Sequence, residues 1–197
     1  MKIKVAALDI GGVLADIDRD AIKSFLKDDE QVAVFYKDFH CLELGQIEAS
    51  KYILSKSRLL SCCPRALYLA FKQMLIANSN ANYLGFLKTS YLFVSNINSL
   101  HYRYFIEGAR ASSYAIENSI TSFQSGLKKP NPAFFEHLLI RTGIPSFEIA
   151  YIDDQASNIE VARQLGFSAH LCRAKEDFPD LLQTLDLLPS SFTRDKI

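Results

Sequence analysis

Val5-Ala6-Ala7-Leu8 is an unbroken apolar run that stops at Asp9-Ile10-Gly11-Gly12, the pattern of a strand buried on both faces that ends in a tight glycine turn. The design returns twice: Tyr91 to Val94 stops at Ser95-Asn96, and Glu148 to Ile152 stops at Asp153-Asp154. A weaker strand candidate, Ile116 to Ser122, ends before Gly126. Helical patterns follow at Asn98 to Ile106, at Pro132 to Thr142 closed by Gly143, and at Ala156 to Leu165 closed by Gly166; glycine is the usual residue just past a helix end. Strands alternating with helices predict an α/β fold, a parallel sheet with right-handed crossovers and helices on both faces. Such sheets bind ligands beyond the carboxyl ends of their strands. Asp9, Ser95, Asp153 and Asp154 all fall there.

The stretch between Leu8 and Tyr91 lacks strand character. Val32, Phe35, Tyr36 and Phe39 recur at i, i+3, i+4, i+7, and Leu67, Ala70, Phe71 and Met74 repeat the spacing, which predicts an all-helical insertion. We place it at residues 18–83, flanked by the polar run Asn78-Ser79-Asn80-Ala81-Asn82, a loop or hinge composition. Residues 1–17 and 84–197 then form the core. An excursion leaving beside the strand ends would sit over the site, excluding water and selecting substrates.

Composition narrows the classes. Of 197 residues, 49% are apolar and the charges balance at 22 against 22, so a packed core is expected and no electrostatic footprint for nucleic acid or an anionic membrane stands out. No apolar stretch approaches the ~20 residues of a spanning helix. The basic, apolar N-terminus is interrupted by Asp9 before a signal-peptide core can form, so it reads as the first strand of a cytoplasmic protein. Cys41, Cys62, Cys63 and Cys172 have no zinc-ligand or disulfide-framework spacing and read as buried thiols. Residues 189–197 read as a frayed tail. Oligomeric state is not encoded in these quantities.

Three carboxylates on one rim repel one another unless a positive charge sits among them. A magnesium ion would serve, because it takes oxygen ligands and keeps several waters. Asp9 and Asp154 are then the ligands, with Asp153 steadying a bound water and the Gly11 carbonyl as a third oxygen. Taken singly, Asp9 also reads as a turn residue and Asp153-Asp154 as a helix cap; taken together, they favour the metal. Lys129, in Gly126-Leu127-Lys128-Lys129-Pro130-Asn131-Pro132, reads either as a solvated lysine or as a cation shared between an aspartate and a phosphate. Ser95-Asn96 reads either as an N-cap or as a hydroxyl and main-chain N–H groups offered to an anion.

Four segments in this order, Leu8-Asp9-Ile10-Gly11-Gly12-Val13-Leu14, Phe93-Val94-Ser95-Asn96, Ser122 through Gly126 to Lys129-Pro130, and Ile152-Asp153-Asp154 with Asn158, resemble the haloacid dehalogenase-like hydrolase superfamily. Glu43-Leu44-Gly45-Gln46-Ile47 is similar to a cap segment of the subgroup with a small helical cap after the first motif, which includes sugar-phosphate phosphatases and, more distantly, haloacid dehalogenases. The resemblance implies a Rossmann-like core and a magnesium-dependent phosphatase of small phosphorylated metabolites. In that scheme Asp9 is the nucleophile that forms an aspartyl-phosphate, and magnesium and Lys129 offset the charge of the transferring group. Ser95 and Asn96 bind substrate, and Asp154 binds the metal with Asp153 behind it. Asp9, at an ordinary carboxyl pKa near ~3.9, is expected to be ionised without a base.

One position departs from the pattern. The superfamily's phosphatases usually carry a second aspartate, a general acid, two residues after the nucleophile; here that residue is Gly11. General acid–base catalysis contributes roughly 10²–10⁴-fold, so a good leaving group, such as an anomeric sugar hydroxyl, would compensate. His40 and His101 are candidate replacement acids, whereas His137 and His170 read as structural. Asp16, Asp18, Arg19, His40 and Glu43 are candidate substrate contacts, while Phe35, Tyr36 and Phe39 read as core of the insertion. Two alternatives stand beside the phosphatase: a metal-independent 2-haloacid dehalogenase, which also lacks the second aspartate, and a catalytically weakened fold kept for binding.

Overall fold

The computed structural model describes residues 2–193. Among the described residues there are seven strands and eleven helices. The strands are β1 (Val5–Leu8), β2 (Ala15–Ile17), β3 (Leu75–Ala77), β4 (Ser90–Ser95), β5 (Ile120–Thr121), β6 (Ile149–Asp153) and β7 (Ser168–Leu171). Five of them form a parallel sheet in the order β5-β4-β1-β6-β7. Leu8 is in register with Phe93 on one side and Ile152 on the other. The carboxyl ends of these strands therefore lie at one edge, which brings Asp9, Ser95 and Asp153 together from distant parts of the chain.

The helices are α1 (Asp20–Phe25), α2 (Asp29–Tyr36), α3 (Phe39–Glu43), α4 (Ala49–Leu59), α5 (Pro64–Gln73), α6 (Ser99–Ala109), α7 (Ser113–Asn118), α8 (Ser122–Ser125), α9 (Pro132–Thr142), α10 (Ala156–Gln164) and α11 (Asp177–Thr184). Strand side chains alternate between sheet faces, and two apolar clusters follow from that. Leu8, Phe93 and Ile152 face Tyr102 and Phe105 of α6 and Phe178 of α11. Val5, Ala7, Leu92 and Tyr151 face Phe134, Phe135 and Leu138 of α9 and Ile159 of α10. Both faces are thus covered by helices, as a parallel sheet demands.

Helices α1–α5 are built around a third cluster, which includes Ile22, Phe35, Leu42, Tyr52, Leu67 and Phe71 and reaches the rest of the molecule through Leu100 of α6. The chain enters this unit along β2 and leaves along β3, and these two strands pair antiparallel with Ala15 opposite Ala77. A 3₁₀ segment, Ser79–Phe86, follows, and its Ala81, Tyr83 and Leu84 pack into the sheet's first cluster. Among the described residues no helix is long and apolar enough to cross a membrane.

The structure corrects several local expectations. Residues 116–122 are not one strand: α7 occupies the start and only Ile120–Thr121 pair with β4, because Ser112 caps α7 through the Ala115 N–H. Only Cys172 is a buried thiol; Cys41 and Cys62 are half-buried and Cys63 is exposed. The tail is anchored at least to Phe192, whose ring packs on Tyr83 and Phe86; residues 194–197 of that expectation lie outside the described residues.

Candidate active site

Asp9 follows directly on β1 and is 6% exposed. Its Oδ1 accepts the N–H of Ile10 at 2.7 Å, and the Ser95 hydroxyl also hydrogen-bonds its carboxylate. Lys129 is buried beside it. The ammonium lies 3.0 Å from Asp9 Oδ2 and 2.6 Å from Asp153 Oδ2, and it donates to the Val94 carbonyl at 2.7 Å. The solvated reading of this lysine is therefore wrong. Its backbone is clamped by Asn96, whose amide donates to the Lys129 carbonyl and accepts the Lys129 N–H, both at 2.9 Å. The peptide bond after it, Lys129–Pro130, is cis.

Asp153 is saturated by donors. Oδ1 accepts the Gln155 N–H at 2.8 Å and the Asn158 amide at 2.9 Å, and Oδ2 accepts Asn158, Lys129 and the Tyr151 hydroxyl. Asp154, half-buried, accepts one side-chain donor, Gln155 Nε2, at 2.7 Å. Its carboxylate fits only because residue 12 is glycine: a Cβ there would stand 2.4 Å from Asp154 Oδ2, and the backbone has φ +80, a conformation that side chains disfavour.

Ligand atoms of Asp9, Asp153 and Asp154 all lie within 4.8 Å of one another. Burial pushes the Asp9 carboxyl up to about 7, against the pull of Lys129, while the charge of Asp153 adds to the rise. Burial also raises Asp154. On Asp153 burial opposes ionisation, but Lys129 and the hydrogen-bond donors hold its pKa below the usual carboxylate range. Burial works against the Lys129 charge too, and Asp9 and Asp153 together hold its pKa above the ordinary value. The expectation that Asp9 ionises at its ordinary pKa thus fails in the folded protein: burial, more than the neighbouring carboxylates, lifts it above that value, and one ammonium offsets the rise only in part. An all-oxygen donor set short of positive charge fits a hard divalent cation such as magnesium.

A cavity of about 560 Å³ opens onto this edge. Gly11, Ser95 and Asn96 form its floor, and Arg19, Lys23, Tyr36, Phe39 and Glu43 line it from the α1–α3 side. Tyr36 and Phe39, read as core of the helical insertion, are also cavity wall. Of the five polar candidates, only Arg19 and Glu43 face the cavity: Asp16 pairs with Lys175 at 3.1 Å, Asp18 accepts N–H groups at the start of α1, and His40 bonds its neighbour Cys41.

His101 lines the cavity but cannot serve as an acid at neutral pH. Its Nε2 is 2.7 Å from the Phe71 carbonyl, its Nδ1 is 3.0 Å from Asn98, and burial lowers its pKa to about 4. The cap of α6 is Asn98, which accepts the Leu100 and His101 N–H groups, so Ser95 and Asn96 are not N-caps. Sequence reasoning missed Tyr151 and Gly12. The signal for Tyr151 was a hydroxyl two residues before Asp153, on the same strand face.

No family model matches the chain. A curated relative, the D-ribitol-5-phosphate phosphatase of Bacteroides thetaiotaomicron, is 27% identical over 188 residues, covering 84% of this chain and 89% of that protein. A crystal structure of a haloacid dehalogenase (HAD) family enzyme from the same organism, in complex with magnesium and inorganic phosphate, superposes with a TM-score of 0.75 at 23% identity, covering 91% of this chain and 98% of the other. A HAD-like family hydrolase from Porphyromonas gingivalis superposes with a TM-score of 0.75 at 22% identity, covering 94% and 98%. The five-stranded parallel sheet with its edge of aspartates and lysine is the haloacid dehalogenase-like fold. The chain shares that fold with these enzymes, and the four ordered motifs converge on the same edge.

Proposed function

We propose that the protein is a magnesium-dependent phosphatase of small phosphomonoesters, acting through an aspartyl-phosphate on Asp9. The observation that carries this reading is the shared contact of Lys129 with Asp9 and Asp153 at the edge where Asp154 completes an acidic cluster. The relative's sugar-alcohol phosphate substrate supports the choice of substrate class.

Asp9, Asp154 and the Gly11 carbonyl would hold the cation, with Asp153 behind them fixing Lys129. Bound there, magnesium supplies positive charge against the oxygens of the transferring phosphoryl group. An Asp9 carboxylate oxygen attacks phosphorus as the ester P–O bond breaks, and the departing oxygen takes its proton from water. Water then attacks the same phosphorus, the bond to Asp9 breaks, and phosphate leaves. Ser95, the Asn96 main chain and Lys129 orient the phosphoryl oxygens.

Gly11 supplies no acid, so the favoured ester has a leaving group stable without early protonation, such as an anomeric hydroxyl. Residues 18–83 act as a cap whose α1–α3 side lines the cavity, with the β2–β3 pair at its base as the hinge. The alternatives fit less well. A metal-free dehalogenase gains nothing from an acidic cluster, and a binding-only fold has no need of a buried lysine between two carboxylates.

Phosphate release from a panel of phosphorylated sugars and polyols, with magnesium, tests the reading. Turnover on at least one compound that disappears in Asp9→Asn and in EDTA is expected. No release above the Asp9→Asn background on any compound overturns it.

A further inference from the structure

The cavity wall facing the reactive edge is chemically lopsided. Arg19, Lys23 and Lys128 line it together with a single carboxylate, Glu43. That carboxylate is already matched, since Glu43 Oε2 lies 2.6 Å from the Lys128 ammonium in a half-buried pair. Lys23, exposed at the cavity rim, shares its charge with Asp20 at 2.9 Å, and Asp20 itself is outside the lining. Among the described residues Arg19 has no acidic partner.

Tyr36 adds an independent observation. Its ring is fixed edge-on against Phe35 and tilted against Phe39, and its hydroxyl is buried with no hydrogen-bond partner among the described residues. A hydroxyl left unpaired there is a donor that a ligand atom would satisfy. Arg19, Lys23 and Tyr36 line the same cavity; at the phenol the two cations oppose the rise that burial imposes on its pKa, while Asp20 adds to it. Positive charge gathered along a concave surface concentrates anions.

Building on the phosphatase reading, we infer that Arg19, Lys23 and Tyr36 form a second anion subsite, and that the preferred ligand is a phosphomonoester bearing a further carboxylate or phosphate at the end away from the ester. Arg19 supplies a planar fork of donors suited to either group, Lys23 supplies a point charge, and the Tyr36 hydroxyl donates one hydrogen bond. The neutral polyol tail of a compound such as ribitol 5-phosphate would leave this subsite unmatched.

The test uses the magnesium-loaded Asp9→Asn protein and calorimetric titration with three probes of equal chain length: ribitol 5-phosphate, the same chain with a terminal carboxylate (ribonate 5-phosphate), and the same chain with a second phosphate (ribitol 1,5-bisphosphate). At least one anionic probe is expected to bind about tenfold or more tightly than the polyol. Which of them does so tells a carboxylate from a phosphate as the recognised group. Adding Arg19→Ala should bring the ratio within about threefold of unity, Arg19→Lys should keep part of it, and Tyr36→Phe should reduce it. Equal binding of all three probes, or a preference that survives Arg19→Ala combined with Lys23→Ala, overturns the subsite. Wild-type turnover of the same probes is read separately: a binding preference without phosphate release from any of them sinks the reaction and leaves the subsite standing.

Discussion

The Cδ1 of Ile17 stands 2.8 Å from the point where a Cβ on Gly11 would project. The space beside Gly11, where the proposed mechanism lacks an acid, is therefore filled by the tip of a half-exposed isoleucine that also lines the cavity. The obstacle is the far end of a flexible side chain, and no positive φ at Gly11 bars a side chain. Gly11→Asp should fold with Ile17 rotated away, and Gly11→Asp/Ile17→Ala should remove the clash altogether. Both should raise turnover of alkyl phosphates by roughly 10-fold to 10²-fold, within the range general acids contribute, and flatten the dependence of kcat on leaving-group pKa. An unchanged dependence would show that the missing acid is not what selects the substrate.

Lys129→Met removes the one cation touching both Asp9 and Asp153. Loss of the transition-state charge partner should cost about 10²–10³-fold or more in kcat. Stripping a buried ion pair of one member should cost about 3–5 kcal/mol in stability, read from the urea midpoint at neutral pH. A variant as stable as the wild type would mean that the two carboxylates find another counter-charge.

Gly12→Ala places a methyl group 2.4 Å from Asp154 Oδ2 at φ +80, so the carboxylate must move. The expected signature is selective: the magnesium concentration for half-maximal activity rises about tenfold or more, while activity at saturating magnesium recovers in part. An unaltered magnesium requirement would remove Asp154 from the ligand set.

His101 sets part of the acid limit of the fold. Its pKa falls from 6.5 to about 4 on folding, so the unfolded chain binds more protons between those values and stability drops as pH falls through that window. The loss reaches about 3 kcal/mol once both states are protonated. His101→Gln should be less stable at pH 7 but show a shallower decline from pH 6.5 to 4, measured as Tm against pH. An equally steep decline would assign the acid sensitivity to other groups.

The sheet was legible because a strand buried on both faces leaves an uninterrupted apolar run, and the runs ending at Asp9, Ser95 and Asp153 are the three central strands. The edge they define brings Asp9, Ser95, Lys129, Asp153 and Asp154 together, as their positions after strands or before a helix implied. Local competition was not legible: capping by Ser112 turned the start of 116–122 into helix, and Phe192 found Tyr83 and Phe86 across the fold.

What the sequence determined by itself was periodicity and the chemical type of each strand-end residue, because both are local properties of the chain. What only the tertiary structure decided was how each polar group spends its bonds. Asn96 is committed to the Lys129 backbone, Asp153 is saturated, His101 is buried and neutral, and the Tyr36 hydroxyl has no partner among the described residues, in a cavity wall that Arg19 also lines. Burial and partnership depend on segments far apart in the chain, and it is burial that lifts Asp9 to about 7 and makes the surrounding cations decisive.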